Sequence, residues 1–179
     1  MITLVIGGAR SGKSRFAQSI AAPFEKVAYI ATCRAEDAEM AERIAQHQQH
    51  RPEQWTTIEA PVEIADAVHS NAPHHEVLLL DCLTIWLSNF CFEHREMARA
   101  ELQGAAMREL AGVVNGAAGK HLVMVTNEVG CGLVPESPVG RLFRDVHGWI
   151  NQEAAKKADW VYHLVAGIAV AIKRPEVGR

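Results

Sequence analysis

Ile2-Thr3-Leu4-Val5-Ile6-Gly7-Gly8-Ala9-Arg10-Ser11-Gly12-Lys13-Ser14 opens on an apolar, β-branched run and breaks at two glycines. A run of that kind suits a strand buried on both faces of a parallel sheet. Ser14 to Ala21 follows, with Phe16, Ile20 and Ala21 at near-helical spacing. Gly7, Gly12, Lys13 and Ser14 fulfil the pattern GxxxxGK[ST] between this strand and this helix. That is the context a phosphate-binding loop requires. The loop must turn backbone N–H groups inward around phosphate oxygens, so it needs residues that tolerate positive φ and bring no side chain. The N-terminus of the following helix adds a favourable partial charge. Residues Gly7, Gly8, Ala9, Arg10, Ser11, Gly12, Lys13 and Ser14 are therefore expected to bind nucleotide. Lys13 is expected to reach the β- and γ-phosphates, and Ser14 to place a hydroxyl on Mg²⁺.

Outward from the loop, the same alternation repeats. Val27–Ala31, Val77–Asp81 and His121–Thr126 read as further buried strands, with a short extended piece over Trp55–Glu59. A charged helix is expected from about Glu36 to about Gln49, and Pro61 is placed to open a short one. Helices should also run through Trp86 and Leu87 and along the stripe Leu102, Ala106, Leu110, Val113 and Val114. Ser137-Pro138 has the form of an N-cap followed by an N1 proline, opening a helix to about Lys157. Trp160 to Lys173 reads as a terminal strand or hairpin interrupted by Gly167, and Arg174–Arg179 as a loose tail. Strands alternating with helices predict an α/β phosphate-loop fold: a doubly wound, mostly parallel sheet with helices on both faces. At 179 residues the chain is expected to be one domain, 1–179.

The bulk properties exclude several classes. With 49% hydrophobic and 22% charged residues, composition is that of a globular domain. A formal net charge of -3 argues against coating nucleic acid. No apolar run is long enough to span a membrane, and no basic leader with an apolar stretch marks a signal peptide. Cys33, Cys82, Cys91 and Cys131 form no CxxC pair and are read as free thiols of a cytoplasmic protein.

In a doubly wound fold the ligand crevice lies at the carboxyl ends of the strands. Asp81 closes the run Leu78-Leu79-Leu80 and is placed to hold Mg²⁺, directly or through water; the alternative is a helix N-cap. Asn127-Glu128-Val129-Gly130 follows another strand and is open to three readings: binding substrate, orienting a base, or capping a turn. On a helix of about 100° per residue, His47 lies between Arg43 and His50 on one side and Met40 and Ile44 on the other. It thus borders the apolar stripe beside a guanidinium suited to phosphate. A neutral imidazole is a competent nucleophile toward phosphorus. Trp55, Trp86, Trp149 and Trp160 are expected in core or interface positions.

The segments GGARSGKS at 7–14, YIAT at 29–32, EMAERIAQH at 39–47, RPEQW at 51–55, LLLDCLTIWLSN at 78–89 and VTNEVGCGLVPESPVGRLFRDVHGWINQ at 125–152 resemble the bifunctional adenosylcobinamide kinase/adenosylcobinamide-phosphate guanylyltransferase family. The likeness covers nearly the whole chain, and the 125–152 stretch is far more specific than the loop. It implies that ATP or GTP phosphorylates the aminopropanol hydroxyl of adenosylcobinamide. GMP from GTP is then attached to a histidine and passed to the cobinamide phosphate. On this resemblance the guanylylated residue is His47; His50, three residues on and close to the same helix face, is the alternative nucleophile. The same resemblance places nucleotide contacts at Thr32, Cys33, Arg34, Gln48, Gln49, His50, Arg51, Glu59 and Asp81, and implies a homotrimer. The competing readings are a monofunctional small-molecule kinase and a regulatory phosphate-loop NTPase without a small-molecule acceptor.

Overall fold

The computed structural model describes residues 1–34, 42 and 51–175. Of the helix expected over 36–49 only Glu42 is among these residues, in helical conformation; His47, Gln48, Gln49 and His50 lie outside them, as does the end of the tail. The strands are β1 (Ile2–Gly7), β2 (Val27–Ala31), β3 (Thr56–Glu59), β4 (Val77–Asp81), β5 (His121–Thr126), β6 (Trp160–Val165) and β7 (Ile168–Lys173). The helices are α1 (Lys13–Ala21), α2 (Ile64–Asn71), α3 (Leu83–Glu93), α4 (Arg99–Gly116) and α5 (Pro138–Lys157).

Among the described residues the strands form a seven-stranded sheet in the order β3-β2-β4-β5-β1-β6-β7. All neighbouring pairs are parallel except β6 with β7, which close an antiparallel hairpin. The continuous apolar runs of the sequence become strands with both faces covered. Leu4, Ala28, Ile30, Leu78, Leu80, Leu122, Met124 and Val161 pack with α2, α3, α4 and α5. Their alternating neighbours Val5, Val27, Tyr29, Val77, Leu79, Val123, Val125 and Leu164 pack with Ala17 and Ala21 of α1. The period of two along each strand sorts these side chains between the faces.

Most expected boundaries hold to within a residue or so. Pro61 does not open its helix, which begins at Ile64. Instead the carbonyls of Pro61 and Val62 accept from Asn89 Nδ2 (3.0 Å) and Trp86 Nε1 (2.8 Å), holding this turn against α3. Ser137 caps α5 as expected, its hydroxyl accepting from Gly140 N–H at 3.1 Å. The 160–173 segment resolves as the hairpin, turning at Ala166 and Gly167, both at positive φ. Trp86 is wholly buried and Trp55 nearly so, whereas Trp149 and Trp160 are half-buried.

Trp86 fills the centre of the larger core and holds Val62 O. Trp86→Ala leaves a cavity and an unpaired carbonyl, and should lower unfolding free energy by about 3–5 kcal/mol. Urea unfolding followed by far-UV circular dichroism measures it.

Candidate functional site

The loop after β1 is a tight turn built on its own backbone. Ser11 N–H donates to Gly8 O (3.3 Å), and Phe16 N–H to Gly12 O (3.0 Å). Positive φ falls on Arg10 (56°) and Gly12 (92°). Glycine's conformational freedom is thus used at Gly12, while Arg10 takes the left-handed conformation despite its Cβ. Gly7 is required for a different reason. A Cβ there would stand 2.5 Å from Leu164 O and 2.7 Å from Ser11 Oγ. Any side chain would push β6 and the loop apart.

The hairpin tip supports the loop from outside, since Gly167 N–H donates to Ser11 O at 2.9 Å. Lys13 Nζ donates to Gly8 O at 2.9 Å, folding the ammonium back over the turn. Ser11 Oγ is buried without a protein hydrogen-bond partner. Such an atom ordinarily finds a partner, and a phosphate oxygen in the turn would supply one. Ser14 lies in the first turn of α1, so backbone N–H groups, an ammonium and two hydroxyls converge where an anion is favoured.

Asp81 ends β4 on the same sheet face. It continues the alternation of Val77 and Leu79, which pack with α1, so its carboxylate stands on the side where the loop turns. The N-cap alternative is not what the chain adopts, because the N-cap position of α3 falls on Cys82. Asp81 Oδ2 instead accepts from Tyr29 OH at 2.7 Å. Burial, and then the charge of Asp81, raise the Tyr29 pKa far above its ordinary value, keeping the phenol a donor. The Arg51 guanidinium lies over the Tyr29 ring, 3.5 Å from its centroid, and donates to Thr57 Oγ1 at 3.3 Å. Burial and the Asp81 charge push the Cys82 thiol up to about 11, while Lys13 acts in the opposite sense. The loop lysine and the end of β4 therefore share one electrostatic neighbourhood.

Thr32 is buried and locked to the same strand end. Its hydroxyl donates to Cys82 O (2.9 Å) and accepts from Cys82 N–H (2.8 Å). Arg34 is paired with Glu93 at 2.9 Å. Arg34, Glu93 and Glu59 line an open cleft of ≈ 650 Å³ with Glu63, Asp66 and His94. The structure thus gathers the loop, Thr32, Arg51 and Asp81 near the ends of β1, β2 and β4, with Arg34 and Glu59 at the cleft beyond them.

Asn127-Glu128 is at a strand end as expected, but the network that holds it was not legible in the sequence. β5 lies between β1 and β4, so its polar end emerges between the loop and Asp81, and a buried network holds it there. Thr84 Oγ1 accepts from Asn127 N–H at 2.9 Å and lies 3.0 Å from His147 Nε2. Thr126 Oγ1 lies 3.3 Å from the same nitrogen and donates to Asn151 Oδ1 at 2.7 Å. Asn151 Nδ2 donates to Asn127 O at 3.0 Å and approaches His147 Nδ1 at 3.4 Å. A neutral imidazole protonated on Nε2 donates to the threonine hydroxyls and accepts the Asn151 amide at Nδ1. A second proton on Nδ1 would face the Asn151 amide, donor against donor. The sequence signal was the i, i+4 spacing of His147 and Asn151 on α5, but it does not reveal that Thr84 and Thr126 meet them.

As for metal, Ser14 and Asp81 offer hard oxygen donors on one side of the sheet. Among the described residues no three His, Cys, Asp or Glu side chains cluster as a cage. Two protein oxygens completed by phosphates and water is the usual manner of holding Mg²⁺, so these residues fit that ion.

A parallel sheet with a glycine-lysine-serine loop between its first strand and first helix, and an aspartate ending a strand beside it, defines a phosphate-loop nucleotide-binding protein. Residues 3–172 match the family described as cobinamide kinase / cobinamide phosphate guanyltransferase. The chain is 40% identical to the bifunctional adenosylcobalamin biosynthesis protein CobU of Escherichia coli, over 97% of this chain and 100% of that protein. It is 39% identical to the bifunctional protein CobP of Pseudomonas aeruginosa, over 97% and 98% respectively. The CobU protein of Salmonella typhimurium is 37% identical, over 97% and 100%. The chain belongs to the cobinamide kinase / cobinamide phosphate guanyltransferase family.

Burial pushes the His147 pKa down to about 4, against about 6.5 for an unperturbed histidine. Above pH 6.5 the imidazole is neutral in folded and unfolded chains alike. Between 6.5 and about 4 the unfolded chain binds the proton and the folded chain does not, so stability falls as pH falls. The full effect is about 3 kcal/mol. Urea midpoints compared between wild type and His147→Gln should show a smaller pH-dependent loss in the variant over this range.

Proposed function

We propose that this chain, acting as one phosphate-loop domain, phosphorylates the aminopropanol hydroxyl of adenosylcobinamide with ATP or GTP and then transfers GMP from GTP to the resulting phosphate. The observation that carries this reading is the joint placement of the phosphate loop and Asp81 in a chain matching the family from residue 3 to residue 172. The names of the relatives, bifunctional proteins of adenosylcobalamin biosynthesis, agree with two activities in one chain.

In this reading the loop backbone and Lys13 cradle the β- and γ-phosphates in the kinase step. They cradle the departing pyrophosphate in the guanylyl step. Catalysis of both is largely electrostatic. Ser14 and Asp81 would hold Mg²⁺, which supplies charge neutralisation at the phosphate oxygens. Thr32, Cys33, Arg34, Arg51 and Glu59, with Gln48, Gln49 and His50, complete the nucleotide contacts. His47 attacks the α-phosphorus of GTP and carries GMP as a phosphoramidate, splitting one difficult displacement into two. His47 lies outside the described residues, and its role rests on the resemblance of Glu39–His47 to the family.

A homotrimer in the cytoplasm completes the proposal. Association is supported by the outer strand β7, whose Ile168, Val170 and Ile172 are 68%, 51% and 63% exposed on alternate positions. Apolar edges of this kind are usually covered. Among the described residues no helix is long and apolar enough to cross a membrane.

The test is incubation with α-labelled GTP and Mg²⁺. Label should remain on the protein, stable in base and lost in acid. His47→Ala should abolish it while cobinamide phosphorylation partly survives, and Lys13→Ala should impair both reactions. Phosphoryl transfer without retained label would support a monofunctional kinase. Hydrolysis unaffected by cobinamide would support a regulatory NTPase.

A further inference from the structure

We propose that Glu128 is the general base that takes the proton from the acceptor hydroxyl in the phosphoryl-transfer step. The inference rests on the kinase reading above and assigns a chemical group that the nucleotide contacts leave unfilled.

The placement follows from strand order. β5 pairs with β4 through Val125↔Asp81 and with β1 through Thr126↔Ile6. Residues 127 and 128 therefore leave the sheet at the level where the phosphate loop begins. The Thr84, Asn151 and His147 network clamps Asn127 at its N–H and its carbonyl. Asn127 Oδ1 in turn accepts from Glu128 N–H at 2.7 Å. The Glu128 backbone is thus anchored, and its carboxylate reaches across the end of β1. Glu128 Oε2 stands 3.4 Å from His163 Nε2 on β6, and Cys131 Sγ donates to it at 3.5 Å.

His163 sits beside Ile6 in the register, with its side chain on the sheet face opposite Leu164 and α1. The loop and Glu128 therefore flank the end of β1 from two sides. Phosphoryl transfer requires attacking and leaving oxygens roughly in line. With the β-phosphate seated in the loop on the α1 side, the acceptor oxygen comes in from the other side, where Glu128 stands.

The carboxylate suits the task. It is half-exposed, and among the described residues no lysine or arginine pairs with it. Asp81, which ends β4, already accepts the Tyr29 phenol and occupies the metal side, and Glu59, which ends β3, lies at the sheet edge with β2, β4 and β5 between it and β1. In the step itself Glu128 accepts the hydroxyl proton as the oxygen bonds to the γ-phosphorus. The bond from that phosphorus to the nucleoside diphosphate breaks, and Glu128 later returns the proton to solvent.

The second reaction has no such need. Its acceptor is a phosphate monoester, whose second pKa of about 6 leaves it ionised near neutrality. A base at Glu128 should therefore separate the two reactions in a way that a structural residue would not.

The experiment compares wild type with Glu128→Gln at pH 7.5 in cobinamide phosphorylation by ATP and in GMP transfer from GTP to cobinamide phosphate, with ATP affinity measured by titration. A positioned base contributes about 10²–10⁴-fold. The expected result is a fall of about 100-fold or more in kcat for phosphorylation, with ATP affinity and GMP transfer changed no more than a few-fold. Glu128→Asp should recover part of the loss. Retention of phosphorylation near the wild-type rate overturns the assignment. So does an equal loss of both reactions together with ATP affinity, which marks Glu128 as structural. A wild-type chain that never phosphorylates cobinamide overturns the functional reading, and this assignment with it.

Discussion

The site depends on β1 being held between β5 and β6 with its carboxyl end left open. Parallel pairing on both sides brings three chain segments, distant in sequence, to one strand end. These are the loop at 7–14, the turn after Thr126 and the hairpin after Val165. The contact that fixes the spacing is the close approach of Gly7 to Leu164 O. Because no Cβ intervenes, β6 lies against β1 up to its last residue, and the hairpin tip reaches Ser11 O. A wider separation would release the loop from its outer support and move Glu128 away from His163.

The strand on the other side of β5 completes the arrangement from a different physical source. β4 ends in an aspartate whose orientation follows from strand parity and whose hydrogen-bonding partner is a phenol kept protonated by burial. Thr32 ties β2 to the residue after that aspartate through both its donor and its acceptor. The polar groups near the crevice are thus interlocked, and the buried His147 network does the same for the end of β5. Such networks are worth their desolvation only when every member is satisfied. Here the neutral imidazole has a partner at each ring nitrogen.

Much of this was legible in the linear chain. The buried strands announced themselves as apolar β-branched runs, because a parallel strand covered on both faces has no polar side to show. The loop was legible because its chemistry demands small residues, a lysine and a hydroxyl at fixed spacing. Ser137-Pro138 marked a helix start because capping is a local interaction. Pro61 misled for the converse reason. Proline at a first turn is compatible with a helix, but here the Pro61 and Val62 carbonyls serve distant side chains of α3.

What the sequence by itself determined was the fold class, the phosphate loop and the family, since each resides in local pattern or in motifs read along the chain. Tertiary structure alone decided the order of the strands, and with it that Asn127-Glu128 emerges between the loop and Asp81. It also decided that Tyr29 is the partner of Asp81, and that Thr84, Thr126, His147 and Asn151 form one buried unit. Hydrogen bonds between residues tens of positions apart leave no periodic trace in a sequence. Their partners become known only when the sheet sets which strand ends are neighbours.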